Sequence, residues 1–388
     1  MFYFYLGSNK YFIMNHSISF WEQDTYFSHQ DFVIVGSGLV GLWTAYELKK
    51  KFPKAKITIL ERGVVPTGAS TRNAGFACFG SPTEILSDLK TMGENELWTL
   101  VEMRYKGIEK MKTVLGSKAI GFDECGGFEC LQDRQNLDDM KLKINYLNKG
   151  LQLITGVIDT FKWSKNEKLI SQGLSCFHAM IENELEGGIH SGKLIQALSH
   201  SVQQSGVQII YGIEVKGWQN NNEYLIIDTT HYELKTHHLI IATNAFSNLL
   251  CPDLKNRPAR GQILVTEPIE HLKLKGTFHF DEGYYYFRNV GNRVLLGGAR
   301  NTDIVNEETT DFETSEFIQN KLKNFLQQHI IKDIEYKISN KWSGIMAFTE
   351  NKMPMIKKVQ PHVHCVVCCN GMGVALSPII AEKVADIF

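Results

Sequence analysis

Short apolar runs alternate with amphipathic stretches at the start of the chain. Residues 31–35 form an apolar run typical of a strand. Residues 42–51 carry apolar side chains at helical spacing and end in three lysines. A second apolar run follows at residues 57–60. This strand–helix–strand order predicts a parallel sheet in an α/β fold.

A glycine-rich turn joins the first strand to the helix. It reads Gly36-Ser37-Gly38-Leu39-Val40-Gly41, and Glu61 ends the second strand about 20 residues later, which is the dinucleotide-binding spacing. Gly36 permits a tight turn, Gly38 lets the backbone approach a pyrophosphate, and Gly41 lets helix and strand pack closely. The helix N-terminus favours phosphate groups, and Glu61 can accept hydrogen bonds from ribose hydroxyls. The pattern predicts an adenine dinucleotide site, and the alternative is a β-α-β unit with a purely structural role.

Two more strand–helix patterns lie farther along the chain. Gly187 and Gly188 precede a helical pattern, and Gly371-Met372-Gly373 precedes another at the end of the chain. The predicted helices of these two patterns span residues 193–205 and 378–387, and the predicted strands span residues 207–211, 224–228, 238–242 and 362–369.

The regions between these patterns differ in composition. Residues 94–115 and 136–147 have helical patterns, whereas residues 265–300 are rich in Tyr, Phe and Val and predict antiparallel strands. One more helix face is marked by Ile318, Leu322, Phe325 and Leu326. We therefore expect a discontinuous dinucleotide-binding domain of residues 30–95, 185–255 and 341–388, a substrate-binding domain of residues 96–184 and 256–340, and an N-terminal extension of residues 1–29.

Composition narrows the class of protein. The 388 residues are 43% hydrophobic and 21% charged, as in soluble globular proteins, and the net charge of −1 gives no long-range attraction to nucleic acid. No apolar run reaches the ~18 residues of a membrane helix, and residues 1–14 lack the basic leader and cleavage site of a signal peptide. Eight cysteines without regular spacing indicate reduced thiols, so we expect a cytoplasmic protein.

Further motifs give the chain a family resemblance. Beyond the glycine turn they are residues 68–76 (GASTRNAGF), Gly187-Gly188, residues 212–215, 241–245, 260–262 and 342–354, and Asn370-Gly371-Met372-Gly373. With these motifs in order from about Asp31 onward, the chain resembles the FAD-dependent D-amino-acid oxidase, glycine oxidase and sarcosine oxidase superfamily. The resemblance implies an α/β fold, with a Rossmann-like FAD-binding domain of glutathione-reductase type and an α+β substrate domain bearing a mostly antiparallel sheet. It also selects FAD over NAD, which the glycine turn alone does not.

The resemblance also implies which residues meet the cofactor. The loop at residues 70–75 would run beside the diphosphate and the flavin, the backbone of Val215 would meet the adenine, and Gly371-Met372-Gly373 would face the N1–C2=O edge of the flavin. The expected cofactor-binding residues are Gly36, Gly38, Leu39, Val40, Gly41, Glu61, Arg62, Ser70, Thr71, Arg72, Asn73, Ala74, Val215, Ala242, Thr243, Gly371, Met372, Gly373, Val374 and Ala375. The expected catalytic residues are Arg72, Tyr285, Arg288 and Arg300, and no metal site is expected.

Several positions depart from the family pattern. Residues 343–349 contain no cysteine for covalent flavin attachment, so we expect noncovalent FAD. Met346 stands where amino-acid oxidases often carry an arginine that binds the substrate carboxylate. Ala375 and Leu295 stand in place of lysines, the second of which is credited with oxygen activation. These departures argue against simple α-amino acids as substrates and against fast oxidase activity.

The candidate substrate residues keep more than one interpretation. Arg72 could bind a substrate anion or orient the flavin, or it could pair with the diphosphate or a structural carboxylate. Residues 284–288 (YYYFR) alternate across a strand, so a tyrosine could line the pocket, but the register is open. Arg300 is a second candidate for binding an anion, and Arg260 is expected at the domain junction.

Cysteines and histidines near the chain end suggest other chemistry. Cys365, Cys368 and Cys369 include a C-x-x-C, but they lie on an apolar run, which favours a buried strand over a redox pair. Two histidine pairs, at residues 237–238 and 362–364, lack a carboxylate or cysteine at ligand spacing. Surface or strand-edge histidines are therefore favoured over a metal site.

These inferences converge on one expected function. The chain should be an FAD-dependent oxidoreductase that oxidises a C–N bond of an amine or amino acid by hydride transfer to flavin N5, followed by imine hydrolysis. The electron acceptor would be dioxygen or a carrier. The alternatives are a flavin dehydrogenase that passes electrons to a quinone or carrier, and a flavin-binding protein without turnover.

Overall fold

The computed structural model describes residues 17–132, 137–367 and 369–388. Its strands are β1 (Gln30–Val35), β2 (Ile57–Glu61), β3 (Phe76–Ala77), β4 (Gly127–Leu131), β5 (Lys162–Trp163), β6 (Ala179–Asn183), β7 (Gly187–Gly188), β8 (Gln208–Tyr211), β9 (Val215–Asn220), β10 (Leu225–Thr229), β11 (Glu233–Ile241), β12 (Arg257–Thr266), β13 (Thr277–Phe280), β14 (Tyr285–Val290), β15 (Arg293–Gly298), β16 (Ile338–Phe348), β17 (Met355–Gln360) and β18 (Val363–Val367). Its α-helices are α1 (Phe20–Thr25), α2 (Leu39–Lys51), α3 (Pro82–Thr91), α4 (Glu94–Leu115), α5 (Leu137–Thr155), α6 (Asn166–Ser171), α7 (Ser191–Gln204), α8 (Glu316–Phe325) and α9 (Gly373–Ala385).

A sheet with a parallel centre carries the glycine turn. Its strand order is β17-β18-β11-β1-β2-β8, and β10 and β9 extend it as an antiparallel branch from β11. Strands β18, β11, β1, β2 and β8 are mutually parallel. Val33 of β1 is fully buried and pairs with Leu239 on one side and Thr58 on the other. An apolar strand buried on both faces is typical of parallel sheets covered by helices, and the predicted α/β fold is confirmed.

The second sheet is antiparallel except at one pair. Its order is β16-β12-β15-β14-β13-β4-β6-β5, and only β13 and β4 run parallel. The Tyr-, Phe- and Val-rich segment supplies β13, β14 and β15, as its composition predicted. One boundary differs from the prediction. Residues 341–348, expected in the dinucleotide domain, belong to β16 and pair with β12 over almost its whole length.

Helix α9 crosses helix α4 at very close range. It begins at Gly373, five residues before the predicted start, and Pro378 lies inside it. A Cβ at Gly107 of α4 would overlap the carbonyl oxygen of Ala375, so only glycine permits this approach. The crossing fixes the N-terminal end of α9 beside the glycine turn. None of the described helices is both long enough and apolar enough to span a membrane.

Candidate active site

A cavity of about 880 Å³ is lined by residues of both sheets and their connecting loops. From the first sheet it takes the glycine turn, the end of β2 and the loop after β11. From the second sheet it takes residues of β12, β13, β14 and β16. Its size is near the upper end of ordinary ligand pockets, so the cavity has room for a large cofactor and a small substrate.

The glycine turn forms a close cradle at one end of the cavity. Gly36 has φ +102°, its N–H donates to Leu60 O at 2.8 Å, and a Cβ there would lie 2.8 Å from Ala242 O. Gly38 caps α2, and a Cβ there would lie 3.0 Å from Ser70 Oγ. The cradle therefore fits a diphosphate, because backbone N–H groups and a helix N-terminus face a space that side chains would fill.

Glu61 is held at the end of β2 by three donors. One carboxylate oxygen accepts from Ser37 N at 3.0 Å and Ser37 Oγ at 2.9 Å, and the other accepts from Gly63 N at 2.9 Å. The side chain is 9% exposed and lines the cavity. These bonds orient the carboxylate and leave acceptor capacity for a ribose hydroxyl.

The loop between β2 and β3 is held by hydrogen bonds of its own side chains. Asn73 donates to Ser70 O at 2.8 Å and accepts from Gly75 N at 2.9 Å, and Ser70 Oγ accepts from Leu39 N at 2.9 Å. Arg72 Nε donates to Ser343 O of β16. Both Arg72 and Asn73 line the cavity. Arg72 is therefore tied to the second sheet by its own hydrogen bond, which is a structural use of the guanidinium.

The structure brings most of the expected cofactor residues to the cavity. Three of them do not line the cavity. Gly41 lies in α2 and packs against the backbone of Gly36, and Ala375 is buried against α4. The Thr71 hydroxyl Oγ1 donates to Pro66 O at 2.7 Å. Those that line the cavity are Gly36, Gly38, Leu39, Val40, Glu61, Arg62, Ser70, Arg72, Asn73, Ala74, Val215, Ala242, Thr243, Gly371, Met372, Gly373 and Val374.

The tyrosine strand presents Tyr286 to the cavity, and the choice of Tyr285 is corrected. Tyr284 and Tyr286 line the cavity, whereas the Tyr285 ring stacks on Phe325 at 4.5 Å in the core of the second sheet. Alternation along β14 places the two tyrosines on opposite faces. The composition of the strand gave no signal for which face turns inward.

Arg288 lies on the same face of β14 as Tyr286, but its guanidinium donates hydrogen bonds to backbone carbonyl oxygens. It is 7% exposed, and its Nη1 donates to Gly75 O and, at 3.1 Å, to Ile189 O. It does not line the cavity, so its expected catalytic role is corrected to one of holding the loop after Gly75. Arg300 does line the cavity, and its guanidinium lies 4.8 Å above the Phe348 ring.

Three aromatic side chains and one methionine line one part of the cavity. His279 and Tyr286 are cross-strand partners, and the Phe76 ring meets them edge-on at 5.2 and 6.0 Å. A Cβ at Gly261 would lie 2.9 Å from Met346 Cε and 3.5 Å from Tyr286 Oη, so these two side chains meet over this glycine. We name Phe76, His279, Tyr286 and Met346 the aromatic wall.

Burial sets the protonation of two groups in this wall. It lowers the pKa of His279 to about 4 and raises the pKa of Tyr286 to about 12. At neutral pH the wall therefore holds a neutral imidazole and a neutral phenol. His279 carried no sequence signal, because a lone histidine on an apolar strand has none.

The segment that contains Phe312 lines the cavity beside Arg72. Phe312 lies between Arg72, whose guanidinium is 5.0 Å from the ring, and Phe246, which stacks on it at 5.9 Å. The Arg62 guanidinium lies 4.3 Å from the centroid of the Phe246 ring. Farther back, Arg260 forms a buried ion pair at 2.7 Å with Glu307, which fixes this segment on β12. This contact was not predictable from the sequence, since its members come from distant segments.

The cysteine and histidine hypotheses have separate outcomes. Cys365 is buried in β18, whereas Cys368 lies outside the described residues, so the C-x-x-C is not described as a pair. His238 lies on β11, between β18 and β1, with its ring centroid 5.1 Å from that of His362, and burial lowers the pKa of His238 to about 4. In the described ranges, no group of three or more His, Cys, Asp or Glu side chains is placed to hold a metal ion.

Comparisons with known proteins agree with this geometry. The family described as DAO, FAD dependent oxidoreductase, matches residues 31–387. The chain is 24% identical over 380 residues to the probable oxidoreductase OrdL of Haemophilus influenzae, covering 93% of this chain and 83% of that protein. It is 23% identical over 378 residues to the gamma-glutamylputrescine oxidoreductase of Escherichia coli, covering 92% of this chain and 83% of that protein.

A solved structure has the same fold. The glycine oxidase from Geobacillus kaustophilus superposes with a TM-score of 0.75 at 20% identity, covering 92% of this chain and 94% of that one. The resemblance predicted from the motifs is confirmed, and with it FAD as the cofactor and an oxidoreductase activity. The chain belongs to the DAO family of FAD-dependent oxidoreductases.

Proposed function

We propose that this protein holds FAD noncovalently and oxidises the C–N bond of an amine that lies against the aromatic wall. The observation that carries the proposal is the continuity of one cavity, which runs from the glycine turn and Glu61 to Tyr286 and Met346. Met346 occupies the position of the family's carboxylate-binding arginine, and residues 343–349 contain no cysteine for attachment.

When bound, FAD supplies the acceptor for the hydride that leaves the carbon beside the nitrogen. The substrate amine must first be neutral, and a dry aromatic wall favours the neutral amine because burial disfavours its charged form. Neutral His279 adds no positive charge beside the nitrogen, and the Tyr286 hydroxyl can accept or donate a hydrogen bond to orient it. Loss of the hydride leaves an iminium ion, which becomes the imine on loss of its N–H proton, and water hydrolyses it to a carbonyl compound and a released amine that takes up the proton.

The N-terminus of α9 supplies the electrostatic part of this site. Gly371, Met372 and Gly373 line the cavity where the helix begins, and the first N–H groups of a helix have no partner within it. The positive end of the helix dipole therefore stabilises a ligand edge that gains negative charge during the reaction.

Arg300 is the candidate partner for an anionic group on the substrate. It lines the cavity and contacts the Phe348 ring, whereas Arg72 and Arg288 both donate to backbone carbonyls. Simple α-amino acids should be poor substrates, because their carboxylate would meet the apolar Met346 side chain.

An anaerobic screen tests this proposal. The oxidised holoprotein is mixed with amines, N-alkyl amino acids and α-amino acids, and bleaching of the visible flavin band is followed. We expect reduction by at least one amine and slow reduction by glycine, sarcosine and alanine. Failure of every compound to bleach the flavin would favour the flavin-binding protein without turnover. Peroxide formation in air would identify dioxygen as the acceptor, and its absence would favour a carrier.

A further inference from the structure

A polar recess opens from the same cavity beyond the aromatic wall. Its lining includes Cys78, Glu84, Ser87, Arg104 and Lys352, and we name this set the head-group recess. Glu84 and Ser87 lie one helical turn apart on α3, and Arg104 faces them from α4. None of these side chains was a site candidate from the sequence, because a charged residue inside an amphipathic helix resembles any solvated position.

The Arg104 guanidinium is buried with most of its donors unused. Its side chain is 1% exposed, its Nε has no hydrogen-bond partner among the described residues, and its Nη1 makes one long bond of 3.4 Å to Phe79 O. Asp88 lies 3.6 Å from Nη2, but this carboxylate already pairs with Lys352. This buried guanidinium has five N–H donors but makes only one long hydrogen bond and two ion pairs longer than a hydrogen bond, to Glu84 and Asp88, and it lines the cavity, so it favours a further acceptor there.

The Glu84 carboxylate is the complementary group. It lies 3.9 Å from Arg104 Nη1, which is too far for a hydrogen bond, and its side chain is 19% exposed toward the cavity. Burial raises the pKa of Glu84, with Arg104 acting in the opposite direction. No side-chain donor within hydrogen-bond distance of this carboxylate is found in the described part of the chain, so a cation from the cavity can pair with it.

The recess and the aromatic wall are separate places in one cavity. Phe76 contacts His279 and Tyr286, whereas Cys78 lies two residues farther along the chain, toward Glu84 and Arg104. Two residues of extended backbone advance the chain by roughly 7 Å. A ligand that reaches both places therefore needs a spacer of several bonds between its two ends.

We propose that the head-group recess binds an ammonium beside a carboxylate, the zwitterionic head of an amino acid, on the end of the substrate opposite the amine that reacts. Glu84 pairs with the ammonium, and Arg104 donates to the carboxylate. The inference rests on the proposed amine oxidation and names its substrate class as ω-amines that carry an amino-acid head.

Four compounds that share an aminopentyl chain test the assignment. Lysine carries both head charges, 1,5-diaminopentane carries only the ammonium, 6-aminohexanoate carries only the carboxylate, and pentylamine carries neither. Binding to the oxidised holoprotein is measured by anaerobic calorimetry, so that it is read independently of flavin reduction. Lysine should bind most tightly and pentylamine most weakly, and the shorter homologue ornithine extends the series.

Two variants assign the charges to residues. Glu84→Gln should weaken lysine and 1,5-diaminopentane about tenfold or more and leave 6-aminohexanoate unchanged, since a charge-assisted hydrogen bond is lost. Arg104→Lys keeps the buried charge but loses the guanidinium fork, so it should weaken lysine and 6-aminohexanoate. Glu282→Gln removes an exposed carboxylate that also lines the cavity and serves as the matched control. FAD content and thermal unfolding of each variant report on folding.

Equal affinities across the four compounds would overturn the proposal. An equal loss of affinity for all four compounds in Glu84→Gln would also overturn it, and so would the same selective weakening of lysine and 1,5-diaminopentane in Glu282→Gln. Compounds that bind with the expected pattern but never reduce the flavin would contradict the proposed oxidation and leave the recess assignment standing. Flavin reduction by amines that is unchanged in Glu84→Gln and Arg104→Lys would contradict the recess assignment and leave the proposed oxidation standing.

Discussion

Replacing Glu61 by alanine should weaken FAD binding by an amount that the structure bounds. Its carboxylate has about four acceptor positions, and Ser37 N, Ser37 Oγ and Gly63 N occupy three of them. About one position is left for a ribose hydroxyl, and a hydrogen bond to a charged group contributes about 1.5–3 kcal/mol. The dissociation constant for FAD should therefore rise roughly 10- to 150-fold.

The assay is a flavin fluorescence titration of cofactor-free protein, with thermal unfolding to report whether the loop at Ser37 has lost stability on its own. Glu214→Ala is the matched control, because Glu214 lines the same end of the cavity but pairs with Lys216 near the surface. Its FAD affinity should change by less than about threefold, as expected for a surface ion pair. Wild-type affinity in Glu61→Ala, or an equal loss in the control, would refute the assignment of Glu61 to the ribose.

Three further predictions follow from packing and burial. Gly107→Ala should lower stability by about 1–3 kcal/mol and weaken FAD retention, because its methyl group would displace Ala375 and α9; an unchanged melting temperature would contradict the close crossing. Tyr286→Phe should lower kcat/KM for the best amine while Tyr285→Phe leaves it unchanged, and equal effects would contradict the observed faces of β14. Burial raises the pKa of Glu186 from 4.5 to about 8, so the folded state holds a proton that the unfolded state releases. This stabilisation is complete below pH 4.5 and is lost as the pH rises through about 8. Over that range the melting temperature should fall less steeply in Glu186→Gln than in wild type. Parallel curves of melting temperature against pH would contradict this role of Glu186.

The sequence predicted those helices and strands whose pattern of apolar residues is clear along the chain. The apolar runs around the glycine turn become β1, α2 and β2, and the aromatic segment becomes β13 to β15. Strand β9 was not predicted, since Val215–Asn220 is mostly polar and is held by pairing with β10. The start of α9 was placed too late, because Pro378 resembles a first-turn proline but lies within the helix.

The site was predictable only where a motif constrains the backbone. The glycine turn and Glu61 carry their function in their spacing, so their positions in the cavity follow from the sequence. Substrate-side residues depend on strand register and on partners from distant segments. Tyr286 could not be separated from Tyr285 without the register, and the partners that occupy Arg288 are carbonyl oxygens, which leave no trace in side-chain composition.

A single-turnover experiment on the purified holoprotein without oxygen tests noncovalent FAD binding and amine oxidation together. An amine that bleaches the flavin should yield one carbonyl product for each FAD reduced, and denaturation should then release intact FAD into solution. Gly38→Val, which places a side chain in the diphosphate cradle, should contain no FAD and form no product. Product formed by protein without FAD would contradict the use of FAD for amine oxidation, and flavin that stays attached to the denatured chain would contradict noncovalent binding.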